Sequence, residues 1–206
     1  LQIPSMKNVL DAGIETLQLE KMIFTEKFVK DVSLISLQKV SKEVLSKIIA
    51  FIIFLIFLDF FSKELALSNL EQGQLNETFF PFIDLLLIYN SGIAFGMFDD
   101  EGIFVSYALL ILTLLISIYL VWLIYKEDNF KKRIALSFIT GGAFGNILDR
   151  INDGQVTDFL HLEIMNFSFF VFNLADLFIT IGAILIIYFE IINKIKDEQR
   201  DKTSQS

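Results

Sequence analysis

An amide and a carboxylate, Asn173 and Asp176, stand one helical turn apart at the head of the apolar run FNLADLFITIGAILII (172–187). A carboxylate at the centre of a bilayer costs about 3 kcal/mol on insertion scales, so ionisable groups in such runs mark functional sites by default. The chain has no cysteine and one histidine, His161. That composition excludes thiolate nucleophiles, Cys-based metal sites and zinc sites built on paired histidines. No G-x-S-x-G elbow surrounds a serine that His161 could activate. Carboxylates are the reactive groups that remain, with neither metal nor cofactor expected.

Depth along the helices gathers these groups. Counting outward from Lys194 at ~1.5 Å per residue, Asp176 lies about 27 Å away, with Asn173 a turn further on the same face. Counting from Arg133, Asn146 and Asp149 come at about 20 and 24 Å by the same rise. The segment GQVTDFLHLEI (154–164) joins the two helices and reads as a loop, and its Asp158 can fold back over this level. Arg150 is adjacent to Asp149 and is its expected counter-charge. Asp59 and Lys63, in an earlier helix, have the i,i+4 spacing of a salt bridge.

The elements that must position these residues are membrane helices. The chain of 206 residues is 54% hydrophobic, with 23 phenylalanines. Four apolar runs, at 48–67, 103–125, 134–149 and 172–192, are long enough or nearly so to cross a hydrocarbon core of about 30 Å. The third is the weakest, interrupted by Gly141, Gly142, Gly145 and Asn146, small or polar residues that suit close helix contact. Seven lysines precede the first run, four basic residues lie between the second and third, and four follow the fourth, which accounts for 15 of 17. Both termini are therefore expected in the cytoplasm. Aromatic and β-branched residues between 77 and 98 predict short strands in a loop on the outer face. The expected fold is an all-α integral membrane protein of four transmembrane helices with a small β-rich outer loop. Residues 1–47 read as a cytoplasmic extension or an artefact of the chosen start, 48–192 as the membrane domain and 193–206 as a cytoplasmic tail. A net charge of −8 without a basic stripe excludes nucleic acid as a partner.

Four blocks in order, YNSGIAFG (89–96), GGAFGNILDR (141–150), VTDF (156–159) and FNLADLFITIG (172–182), resemble the bacterial lipoprotein signal peptidase family, also called signal peptidase II. The resemblance implies an aspartic endopeptidase of the inner membrane, acting without a cofactor. It would remove the signal peptide of a prolipoprotein just before the cysteine that carries diacylglycerol. Membrane lipid is a further partner, and a monomer is expected. The implied catalytic pair falls on Asp158 and Asp176, with Asn90, Asn146, Asn173, Asp149 and Arg150 on the family's other polar positions. The family's D-Q-x-[ST]-K helix motif appears as DFFSK, keeping Asp59 and Lys63 but placing Phe60 where glutamine is usual. Two such carboxylates within about 3 Å would share a proton, one activating water and the other polarising the scissile carbonyl. The alternative reading is a small transporter or proton relay using the same aspartates. It predicts acids spread through the membrane depth and repeated halves, and the sequence has neither.

Overall fold

The computed structural model describes residue 27 and residues 42–91, 102–165 and 167–204. Most of the expected N-terminal extension, and the part of the first block beyond Ser91, lie outside the described residues. Helix α1 is Lys42–Asn69. It is followed by strands β1 (Leu75–Asn76) and β2 (Ile83–Asn90), helices α2 (Gly102–Lys126) and α3 (Phe130–Asp153), strands β3 (Val156–Ile164) and β4 (Phe167–Phe172), and helix α4 (Leu174–Ser204).

Large apolar side chains cover the outside of the helices, while many polar ones are enclosed with the core. Phe54, Phe57, Phe61, Ile111, Leu115, Trp122, Ile184 and Ile187 are exposed, whereas Asp59, Lys63, Ser117, Ser137, Thr140, Asn146 and Asn173 are buried. A helix surrounded by lipid gains nothing by hiding leucine, but it must give every polar group an internal partner. Accordingly Ser117, Ser137 and Thr140 bond back to carbonyls one turn earlier, at Thr113, Arg133 and Leu136.

Three helices, α1, Ser106–Lys126 of α2 and Leu174–Arg200 of α4, are long and apolar enough to cross a membrane. The third predicted span is a helix, eight residues longer than the 134–149 expected, but its composition does not reach that standard. The cause is its place among its neighbours. Its polar and small residues face inward, with Ala135, Ser137, Thr140, Ala143 and Asn146 all buried. Asn129 caps its start by accepting from the Lys131 N–H, and Gly154 ends it in the left-handed conformation, φ 79°, with its N–H on the Arg150 carbonyl.

The β region is larger than a loop between the first two helices. It is one antiparallel sheet in the order β1-β2-β3-β4, half of it drawn from the α3–α4 connection. The segment read as a loop around Asp158 is strand β3, paired with β2 (Asp84↔His161, Asn90↔Val156) and with β4 (Leu160↔Phe172). Strands β3 and β4 leave the end of α3 and lead into α4 after one residue, Asn173, so the sheet lies at the C-terminal end of α3 and the N-terminal end of α4. The expected fourth run likewise begins two residues later, at Leu174, because Phe172 closes β4.

Candidate active site

Helix α4 begins with a reciprocal cap, which explains why Asn173 and Asp176 are one turn apart. The Asn173 Oδ1 accepts from the Asp176 N–H at 3.0 Å, and the Asp176 Oδ2 accepts from the Asn173 N–H at 3.3 Å. This is the arrangement of a capping box, with asparagine and aspartate in the two roles. A third free donor of that first turn, the Ala175 N–H, is met from α1 by Asp59 Oδ1 at 2.8 Å.

Asp59 and Lys63 form the predicted i,i+4 pair at 2.7 Å, with only 1% and 2% of their surfaces exposed. The Lys63 ammonium has three protons and three partners. It reaches Asp59 Oδ2, Asp149 Oδ2 at 3.0 Å and Asn146 Oδ1 at 3.2 Å. Because an ammonium only donates, it turns Asn146 so that its NH2 faces away, and that NH2 donates to Asp176 Oδ1 at 2.8 Å. Asn146 Oδ1 also accepts from Asn173 Nδ2 at 3.1 Å, and the same Nδ2 donates to Asp158 Oδ1 at 2.7 Å. Asn90, the last residue of β2, donates to Asp158 Oδ2 at 3.0 Å. Eight of the nine residues singled out from sequence are thus joined in one hydrogen-bonded cluster.

The ninth, Arg150, corrects an expectation. Asp149 takes Lys63 and the Thr157 N–H, at 3.0 Å each, as its partners rather than its neighbour Arg150. Successive residues on a helix point about 100° apart and do not face each other. The Arg150 guanidinium instead lies within electrostatic reach of Asp158, Asp176 and Asp149, and its Nε is buried without a hydrogen-bond partner.

Asp158 is 2% exposed, and burial pushes its carboxyl up to about 6. The charge of Asp176 pushes the same way, against the hydrogen bonds from Asn90 and Asn173 and the charge of Lys63. The close fit around the cluster depends on Gly145. A Cβ there would meet Asp59 Oδ2 at 2.5 Å and the Ala175 Cβ at 3.3 Å. One turn earlier, a Cβ on Gly142 would lie 2.3 Å from the Ala175 carbonyl, so α3 and α4 touch backbone to backbone. Phe60 is 53% exposed, so the departure from the D-Q-x-[ST]-K pattern falls on the outer surface of α1, away from the cluster.

A family model described as signal peptidase (SPase) II matches residues 51–192. The chain belongs to that family. Among its relatives, the lipoprotein signal peptidase of Polynucleobacter necessarius is 41% identical over 148 residues, which covers 71% of this chain and 90% of that protein. The lipoprotein signal peptidase of Pelagibacter ubique is 44% identical over 121 residues, 58% of this chain and 72% of that one. A solved bacterial membrane enzyme, determined by the in meso method at 2.3 Å, superposes with a TM-score of 0.64 and 28% identity, covering 72% of this chain and 90% of its own. A second of the same description, at 1.9 Å, gives a TM-score of 0.60 and 30% identity, with 69% and 91% covered.

This peptidase is therefore a bacterial inner-membrane aspartic endopeptidase. Within it, sequence reasoning missed two contributors to the cluster, the backbone N–H groups of Ala175 and Thr157. The first meets a residue 116 positions away, and no local signal announces it. The second follows from the strand character of β3, which the alternation of Leu160, Leu162 and Ile164 with His161 and Glu163 does announce.

Proposed function

We propose that Asp158 and Asp176 are the catalytic pair that cleaves the signal peptide from diacylglyceryl-modified prolipoproteins, cutting before the lipidated cysteine. The observation that carries this reading is the way the two carboxylates are held. Each accepts from an asparagine amide, and the Asn173 side chain joins both: its Nδ2 reaches Asp158 and its Oδ1 takes the Asp176 N–H. Asp158, the carboxyl pushed upward, holds the shared proton and polarises the scissile carbonyl. Asp176 acts as base on the attacking water, and the proton on Asp158 then passes to the leaving amine. Asn90, Asn146 and Asn173 hold the carboxylates, and Arg150 offers positive charge to the oxyanion. The buried Asp59–Lys63–Asp149 group is a positioning element, because Lys63 orients Asn146.

In this reading α3 also crosses the membrane, as the third of four spans. Its 24 residues reach about 36 Å at ~1.5 Å per residue, enough to cross. Both termini then lie in the cytoplasm, the sheet and the cluster lie at the outer face, and the enzyme works as a monomer among membrane lipids. The apolar surface of the helices suits a substrate that is itself a helix bearing acyl chains.

The test is cleavage of a diacylglyceryl-modified prolipoprotein by the purified protein in detergent. Asp158→Asn and Asp176→Asn each abolish cleavage while the protein remains folded, and the double variant is little worse, since residues that act as a unit are not additive. Near-normal cleavage by Asp176→Asn refutes the assignment.

A further inference from the structure

His161 takes no part in the cluster described above. It is 4% exposed, directly opposite Asp84 across the β2–β3 ladder and two residues from Glu163 on the same face of β3. One ring nitrogen of His161 and one carboxylate oxygen each from Asp84 and Glu163 lie within 4.8 Å of one another. Nε2 is held by Ser168 Oγ of β4 at 2.7 Å, whereas Nδ1 is buried and has no hydrogen-bond partner. Asp84 is braced in the same manner, its Oδ1 accepting from the Thr78 N–H at 2.9 Å.

Two carboxylates, one of them already accepting from the Thr78 N–H, thus stand beside a buried ring nitrogen that has no hydrogen-bond partner. A lysine or arginine would balance the two carboxylates, but none pairs with them among the described residues. A metal-binding histidine characteristically has its other ring nitrogen fixed by a hydrogen bond, and Ser168 supplies one here. We propose that Asp84, His161 and Glu163 bind a zinc-class divalent cation that clamps β2 to β3. The mixed nitrogen and oxygen donor set favours zinc over magnesium or calcium, which prefer oxygen alone. Tetrahedral zinc, with bonds of about 2.0–2.1 Å, requires its ligand atoms ~3.3 Å apart. Rotation of the Asp84 and Glu163 side chains supplies the remaining closure. Asp158 is three residues before His161 on β3, so the two side chains leave opposite faces of the strand. The cation therefore steadies the strand that carries Asp158 and is not a reagent.

The full-length protein, stripped with chelator and returned to metal-free detergent buffer, is titrated with zinc chloride alone by calorimetry and by thermal unfolding. One zinc per chain binds and raises Tm. Glu163→Gln, which keeps the side chain's shape, and His161→Gln each weaken zinc binding by at least ~10-fold, of the order seen when metal-site partners are removed. Asp158→Asn and Asp176→Asn bind zinc as the wild type does, and magnesium does not substitute for it. The proposal is overturned if wild-type protein shows no saturable zinc binding. It is equally overturned if binding survives both His161→Gln and Glu163→Gln, or disappears with Asp158→Asn, which would place the ion at the reacting carboxylates.

Discussion

Replacing Lys63 by methionine removes one charge from the centre of the cluster with little change in side-chain volume. The ammonium faces two carboxylates at 2.7 and 3.0 Å and a carbonyl at 3.2 Å, and only 3% of its side chain is exposed, so solvent does not take over its role. Removing one member of a buried ion pair costs about 3–5 kcal/mol, chiefly because the other is left without compensation. For a domain of this size each kcal/mol is worth about 2–4 °C in Tm. Lys63→Met therefore lowers Tm by about 6–20 °C in detergent, measured at a fixed scan rate. Asp59→Asn also destabilises. The double variant is less unstable than the sum of the two, with a coupling above about 1.5 kcal/mol, whereas exposed pairs give at most about 1. Cleavage falls more than the folded fraction, because Asn146 loses the donor that orients its amide toward Asp176. A Tm change below about 2 °C, or additive single effects, refutes the view that the group is buried and interdependent.

Asn90→Ala removes a donor that favours the ionised form of Asp158, so the Asp158 pKa rises from about 6. A hydrogen bond to a charged group is worth about 1.5 kcal/mol, or about one pKa unit, so the alkaline limb of kcat/KM moves up by about that much. A limb that stays or moves down rules out Asp158 as the proton holder. Gly145→Ala destabilises by about 1–3 kcal/mol through overpacking against Asp59, read by thermal unfolding; a neutral result means that α1 and α4 yield. A cysteine introduced at Gln72 is labelled by an impermeant reagent in intact cells, while one at Asn129 is not. The reverse pattern inverts the proposed topology.

The parts of this architecture visible in the sequence are those governed by local spacing. Asp59 and Lys63 pair as i,i+4 spacing requires, and the apolar runs around 48–67 and 103–125 became α1 and α2 with small changes at their ends. Asn173 and Asp176 looked anomalous only because their run was read as starting in the membrane; as cap and third residue of α4 they are ordinary helix-start chemistry. Asp149 and Arg150 misled because adjacency in sequence is not adjacency on a helix. The third run looked weak for the reason that makes it central, since a helix enclosed by others needs no apolar surface of its own. His161 was read only as a lone histidine with no serine elbow to activate, and what surrounds it depends on a strand pairing that no single segment encodes.

The directions of the hydrogen bonds bear on how an inert form of the enzyme should be made for trapping its substrate. Each carboxylate accepts hydrogen bonds from two N–H groups, so an asparagine at either position turns one NH2 toward a donor. At residue 176 the opposing groups are the Asn146 amide, whose orientation is set by Lys63, and the backbone N–H of Asn173, which cannot turn over. At residue 158 one of the two opposing groups is the side-chain amide of Asn90 at the end of a strand. A change at Asp176 therefore also loosens the first turn of α4, whereas Asp158→Asn tests the other carboxyl of the proposed pair and leaves the helix end closed. Asp158 is therefore the position at which to test the proposed chemistry while keeping the first turn of α4 closed.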